Sequence, residues 1–248
     1  MLDFLGIGAE KAGTTWLFVT LEKNKSIIFP ALDKNLDTWN KEIRFWNLYR
    51  NRGIDWYKSI FEGEQEGKIK GEITPGYATL DRNTIKEIYQ HYPKVKIIFT
   101  LRNPIYRAWS VAIMDLNFAK GDVFKTTDQW FMEHFNTPHS ISNGDYETCI
   151  KNWRSSFPSD QILILFYEDL ANSPLQYITN ICNFFNIDST LYRSLNKTNL
   201  KKVIWTGVHS IIRPSLLPFL INLYEEKIYS LSKYLKKIYL HGSNNRPF

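Results

Sequence analysis

This 248-residue sequence is poor in cysteine, holding two, and it has no long apolar run, no internal repeat and no low-complexity tract. Cys149 and Cys182 lie far apart in stretches of helical character without metal-ligand spacing, which argues against a disulfide scaffold and points to a reducing compartment. No segment approaches the roughly 20 apolar residues that a membrane helix requires. The opening Met-Leu-Asp-Phe-Leu-Gly-Ile-Gly carries no basic leader and no apolar stretch of signal-peptide length, so a soluble, cytoplasmic protein without membrane insertion is expected. With no linker to divide it, the chain reads as a single domain over residues 1–248, its 44% hydrophobic content sufficient for a sizeable core. Thirty-one Lys and Arg against 25 Asp and Glu leave a formal charge of +6, which favours anionic ligands. These basic residues are scarcely clustered, which argues against a nucleic-acid partner.

What is present is an alternation of short apolar runs and helical spacings. Phe4 to Gly8, Ser26 to Phe29, Lys68 to Thr74 and Ile162 to Phe166 have strand character, and Val95 to Leu101 is nearly continuous in apolar residues, as in strands buried on both faces. Between and after them, Trp16 to Leu21, Asn83 to His91, Asp145 to Phe157, Pro174 to Phe185 and Leu216 to Leu235 read as helices. Asn103 is placed to cap, and Pro104 to open, a further helix towards Asn117. The segment at about 116–143 loses clear periodicity from Gly121 and is expected to be an irregular, acceptor-side insertion, and the residues from 242 onward to be a polar tail. Strands alternating with helices predict an α/β fold: a P-loop-like, three-layer domain with a central, mostly parallel sheet flanked by helices.

The loop after the first strand, Gly8-Ala9-Glu10-Lys11-Ala12-Gly13-Thr14-Thr15, has the Gly spacing of a P-loop, yet Thr14 stands where a Walker A sequence requires Lys. The lysine lies inside the loop, at Lys11. Backbone N–H groups of such a turn, the following helix N-terminus and the Thr hydroxyls suffice for one phosphate-sized anion. A triphosphate with Mg²⁺ needs more, including an Asp at the end of a neighbouring strand, and the comparable strand here ends Leu101-Arg102. The loop alone is equally compatible with an ordinary Gly turn before a helix.

Arg102 occupies the carboxyl end of the predicted central strand, where open α/β sheets bind ligands, and Ser110 lies on the helix that follows. An unpaired Arg there is costly without an anion, so the pair describes a second phosphate site. Arg107 is expected to form a structural ion pair instead. Two separate anion sites suit a nucleotide charged at both ends.

With these two motifs in this order, the sequence resembles the sulfotransferases that use 3'-phosphoadenosine 5'-phosphosulfate (PAPS), in particular their heparan-sulfate-type and bacterial branches. Lys11-Ala12-Gly13-Thr14-Thr15-Trp16-Leu17 is similar to the family's 5'-phosphosulfate loop, and Arg102 and Ser110 match its 3'-phosphate pair. The resemblance implies donor binding by Lys11, Ala12, Gly13, Thr14, Thr15, Trp16, Arg102 and Ser110, although Trp16 fits a core position equally well. Gly144-Asp145-Tyr146 and Ile164 to Leu170 are also similar to family segments of architectural type.

Lys41-Glu42-Ile43-Arg44-Phe45-Trp46 resembles the segment of glycan sulfotransferases that carries a general base, which implies that role for Glu42. Lys11 would stabilise charge on the departing phosphate oxygen, leaving 3'-phosphoadenosine 5'-phosphate as product, with no metal required. Arg44 stands where several relatives of that type carry His, and Ile73 where they carry Lys. Lys201 and Lys202 offer a late clamp on the nucleotide but fit a solvated basic run better, and His134 and His139 read as bystanders. The sequence therefore implies transfer of a sulfonate group from PAPS to a hydroxyl or amine acceptor of unspecified identity, a glycan or a small molecule. The alternatives are a deviant P-loop kinase using ATP and Mg²⁺, or a nucleotide-binding module without catalysis.

Overall fold

The computed structural model describes residues 1–30, 42–63, 67–195, 200 and 211–236. The chain divides into two compact units. The first, residues 1–101 and 151–204, holds the sheet. Its five strands are β1 (Phe4–Gly8), β2 (Ile27–Ile28), β3 (Ile69–Ile73), β4 (Lys96–Leu101) and β5 (Ile162–Phe166). They lie in the order β2-β3-β1-β4-β5, and every pairing is parallel. The helices of this unit are α1 (Thr14–Leu21), α2 (Ile54–Ser59), α3 (Arg82–His91), α8 (Tyr167–Asn172), α9 (Pro174–Phe185) and α10 (Thr190–Ser194). The parallel α/β architecture expected from the alternation of runs is what the chain adopts.

All five residues of β1 are buried, which is why the run reads as continuous apolar sequence rather than as an alternation. Its register sets Leu5 opposite both Glu72 of β3 and Ile97 of β4. Phe4, Trp16, Leu17 and Leu21 form one core cluster with Ile178, Ile181 and Phe185 of α9. The Phe4 and Phe185 rings meet at 4.9 Å. Gly71 leaves the room on β3 that the Phe4 ring fills.

The second unit, residues 102–150 and 205–248, is helical where described. It contains α4 (Pro104–Phe118), α5 (Asp128–Phe135), α6 (Pro138–Gly144), the first part of α7 (Tyr146–Arg154) and α11 (Leu217–Leu235). The segment 116–143, expected to be irregular, is instead mostly helical. Each short helix has its own start signal: Thr127 accepts from the Trp130 N–H, and Thr137 accepts from the Ser140 N–H, with Pro138 at the first helical position. Trp109 packs on Phe131 at 4.9 Å, and Phe131 and Phe135 are fully buried. Among the described residues no helix is long and apolar enough to cross a membrane.

Gly71→Ala places a methyl group against the Phe4 ring, and overpacking of this kind costs about 1–3 kcal/mol. Urea unfolding is expected to show a lower midpoint at unchanged slope; an unchanged midpoint would mean that the Phe4 ring moves aside freely.

Candidate functional site

Because every pairing in the sheet is parallel, the carboxyl ends of the strands share one edge. The chain leaves β1 towards β2 on one side, whereas β4 leads to β5 on the other, so the topological switch point falls between β1 and β4. Ligands of open α/β sheets bind at that place.

The segment Gly8 to Thr15 is the turn at this switch point. The Ala9 N–H donates to the Thr100 carbonyl at 2.7 Å, tying the turn to β4, and the Ala12 N–H closes back on the Ala9 carbonyl at 3.2 Å. Lys11 and Gly13 both adopt left-handed backbone, with φ of 62° and 82°. Gly13 precedes α1 and supplies no side-chain cap. A Cβ at Gly13 would lie 2.7 Å from Leu170 Cδ2, so both its dihedral angle and its surroundings demand glycine. The result is a backbone turn running into a helix N-terminus, with Lys11 and Thr15 half-buried and Ala12 and Thr14 buried. Lys11, Ala12, Gly13, Thr14 and Thr15 are thereby brought together. Trp16 is not part of that surface: it lies in the core, edge-on to Tyr177, and its indole N–H donates to the Leu200 carbonyl at 2.9 Å.

Glu42 stands on a segment anchored to the end of β3. Its carboxylate Oε2 accepts from Arg44 Nε at 2.9 Å and pairs with Arg44 Nη2 at 2.8 Å. Arg44 has a φ of 56°, a left-handed conformation costly for a residue with a Cβ, and it opens a π-type turn over Phe45–Tyr49. Three backbone N–H groups hold this shape. That of Ile43 donates to Glu72 Oε2 at 3.0 Å, that of Arg44 to Thr74 Oγ1 at 3.4 Å, and that of Trp46 to the Tyr77 hydroxyl at 3.3 Å. Thr74 and Tyr77 in turn donate to Glu72, at 2.6 and 3.0 Å, and Tyr57 adds a fourth donor at 2.5 Å. Glu72 is 0% exposed. Burial pushes its carboxyl up, while the hydrogen bonds from Thr74, Tyr57, Ile43 and Tyr77 pull it down, and burial prevails. Burial first, and then the Glu72 charge, push the Tyr57 and Tyr77 phenols well above their ordinary range.

Nothing in the sequence pattern alone marked Glu72 or its partners. The available signal was a carboxylate within an apolar strand, Ile69-Lys70-Gly71-Glu72-Ile73, followed closely by Thr74 and Tyr77. A charge buried in such a strand requires donors. In the sequence Arg44 stands out only where relatives carry His, whereas in the structure it pairs directly with Glu42.

In the second unit, half-buried Arg102 follows Leu101, the last residue of β4, and half-buried Ser110 lies two turns into α4. Asn103 caps that helix, its side chain accepting from the Ile105 N–H at 3.0 Å. Among the described residues Arg107 has no ion pair of the kind expected. It is fully buried, and its Nη2 donates to the Ser140 carbonyl at 2.8 Å and contacts the Tyr224 hydroxyl at 3.4 Å, because α4 packs on α6 and α11 there. His134 is engaged by Asp115 at 2.8 Å. Lys41, Lys201 and Lys202 lie outside the described residues.

The fold is shared with known proteins. A family model for the sulfotransferase domain matches residues 2–205. Among curated relatives, the membrane-associated sulfotransferase kil1 of Dictyostelium discoideum is 23% identical, with 92% of this chain and 64% of that protein aligned. Human heparan sulfate glucosamine 3-O-sulfotransferase 6 is 24% identical over 73% of this chain and 51% of its own length. The chain thus spans less than two thirds of the length of these relatives. Among solved structures, a sulfotransferase from Alicyclobacillus acidocaldarius superposes with a TM-score of 0.72 at 21% identity, covering 96% of this chain and 97% of the other. Mouse sulfotransferase SULT7A1 complexed with PAP does so with a TM-score of 0.55 at 17% identity, covering 95% and 87%.

The raised Glu72 carboxyl makes a pH-dependent difference. The folded chain holds that proton more tightly than the unfolded chain, so the stability it contributes is complete below the ordinary glutamate range and is lost as pH rises through the folded value. In urea unfolding from about pH 4 to about pH 8, the stability of the wild type relative to Glu72→Gln is expected to fall as pH rises. A constant difference would show that the two states hold the proton equally.

Proposed function

Since the chain belongs to the sulfotransferase-domain family, we propose that it transfers a sulfonate group from PAPS to a hydroxyl or amine acceptor, with a glycan as the acceptor class. The observation that carries this reading is the placement of two kinds of chemistry on adjacent strands: a one-anion backbone turn after β1, and a carboxylate, Glu42, held at the end of β3.

The turn fits the 5' end of the donor. Its left-handed Lys11 and Gly13 and the start of α1 present backbone to one phosphate-sized anion, without the Lys and Asp that a Mg-bound triphosphate needs. Lys11, Ala12, Gly13, Thr14 and Thr15 are assigned to that end. Arg102 and Ser110 are assigned to the 3'-phosphate, for which a guanidinium directly after β4 and a helical hydroxyl are suitable donors. Trp16, itself in α1, packs that helix onto the core.

In the transfer step the acceptor oxygen or nitrogen bonds to sulfur as the bond from sulfur to the 5'-phosphate oxygen breaks. Glu42 takes the acceptor proton. Charge gathers on the departing phosphate oxygen, where the Lys11 ammonium stabilises it, and 3'-phosphoadenosine 5'-phosphate leaves. Arg44 holds Glu42 Oε2 through two nitrogens, the orienting role that a histidine would otherwise fill. Glycan acceptors are supported by the human relative, whose name specifies a glucosamine of heparan sulfate.

Two measurements test the assignment. Calorimetric titration is expected to show binding of 3'-phosphoadenosine 5'-phosphate that weakens by roughly 10- to 100-fold in Arg102→Ala, the scale of a lost charged hydrogen bond. Binding of ATP with Mg²⁺ alone would favour a kinase. Transfer of radiolabelled sulfonate from PAPS to N-desulfated heparin, fully desulfated heparin and 4-nitrophenol separates amine, sugar hydroxyl and phenol acceptors. Lys11→Ala is expected to abolish transfer, and Glu42→Gln to slow it while donor-product affinity stays unchanged. Wild-type rates in both variants would refute these roles.

A further inference from the structure

We propose that Glu72 is a positioning residue for the reaction, acting through the segment that presents Glu42; the proposal rests on the reading of Glu42 as the base. Ile43 N–H, Thr74 hydroxyl, Tyr57 hydroxyl and Tyr77 hydroxyl converge on the two oxygens of one fully buried carboxylate. A carboxylate accepts at both oxygens and takes all four; a neutral amide in its place turns one of those acceptors into a donor.

The acceptor-only character of Glu72 also orients its partners. With their protons directed at Glu72, Thr74 and Tyr77 turn lone pairs outward, and those lone pairs receive the Arg44 and Trp46 N–H groups. The amides of residues 43, 44 and 46 are thus all grounded in Glu72, one directly and two through hydroxyls. They are the amides that follow Glu42, and they fix the left-handed turn at Arg44 from which its guanidinium reaches Glu42. Glu72 is fully buried one residue before the end of β3, so it acts by holding the segment that carries the base in place.

The decisive experiment is a double-mutant cycle on transfer from PAPS to N-desulfated heparin, with Glu42→Gln, Glu72→Gln and the double variant. Glu72→Gln is expected to lower kcat by about 10- to 100-fold, the scale of a base displaced by about 1 Å, with KM for PAPS and affinity for 3'-phosphoadenosine 5'-phosphate unchanged. The double variant is expected to be no slower than Glu42→Gln alone. Thr74→Val, which removes the link to Arg44 and one of the four donors to Glu72, is expected to slow transfer in the same way, and Thr74→Ser to restore it. Should Glu72→Gln fail to fold, the Thr74 pair decides. Hydrogen exchange gives a readout that needs no acceptor: the amides of residues 43 to 46 should exchange faster in Glu72→Gln and Thr74→Val while those of β1 and β4 keep their protection. Wild-type kcat in folded Glu72→Gln, additive losses in the double variant, or unchanged exchange at 43 to 46 each overturn the proposal. A wild-type rate in Glu42→Gln removes the base assignment itself, an outcome distinct from a slow Glu42→Gln beside a fast Glu72→Gln.

Discussion

A single buried carboxylate, Glu72, gathers the chain around the end of β3. Glu72 stands in β3 opposite Leu5, in the middle of the sheet, where an ionised group survives only if every lone pair is met. Its four donors come from Ile43, Tyr57, Thr74 and Tyr77, and two of these, Ile43 and Tyr57, lie outside β3 and its continuation, so satisfying one side chain assembles three stretches of chain. The aromatic packing follows the same junction. Tyr57 stacks on Phe45 at 4.6 Å and meets Trp46 edge-on at 5.5 Å, so the hydroxyl that serves Glu72 belongs to a ring that also roofs the turn after Glu42.

The turn after β1 is built on a different principle: it depends on backbone shape and on the pairing of β1 between β3 and β4, with the Ala9 amide fastened to Thr100. Side-chain chemistry enters at few points, of which Lys11 is one. Two adjoining strands thus carry one site made chiefly of main chain and another made of a polar side-chain network.

The elements most legible in the sequence were those whose signals are local. β5 ends at Ile162 and Phe166, and α9 at Pro174 and Phe185, as expected, because a continuous apolar run and a proline at the first helical position mark their limits. The turn from Gly8 to Thr15 was equally visible, since glycine spacing states the backbone it requires. Segment 116–143 was misjudged because α5 and α6 are short, eight and seven residues, and offer too few turns for periodicity to emerge. Their caps, Thr127 and Thr137, were the better signal. Glu72 was illegible for another reason: its partners sit 29 and 15 residues upstream as well as nearby, and no local window contains them. Trp16 fits either reading in the sequence, because its core contacts with α9 and Leu200 come from more than 150 residues away.

The left-handed turn at Lys11 and Gly13 has a consequence for divergence. A turn specified by dihedral angles places little demand on side-chain identity at Ala9 or Ala12, which answer only for volume, while Gly13 and the anchoring strand answer for shape. Substitutions can therefore accumulate around such a turn without erasing it. A fold shared at 21% identity with the Alicyclobacillus acidocaldarius protein is what that tolerance leads one to expect. The side-chain network around Glu72 has no such freedom, and drift there should proceed only by coordinated exchange of several partners at once.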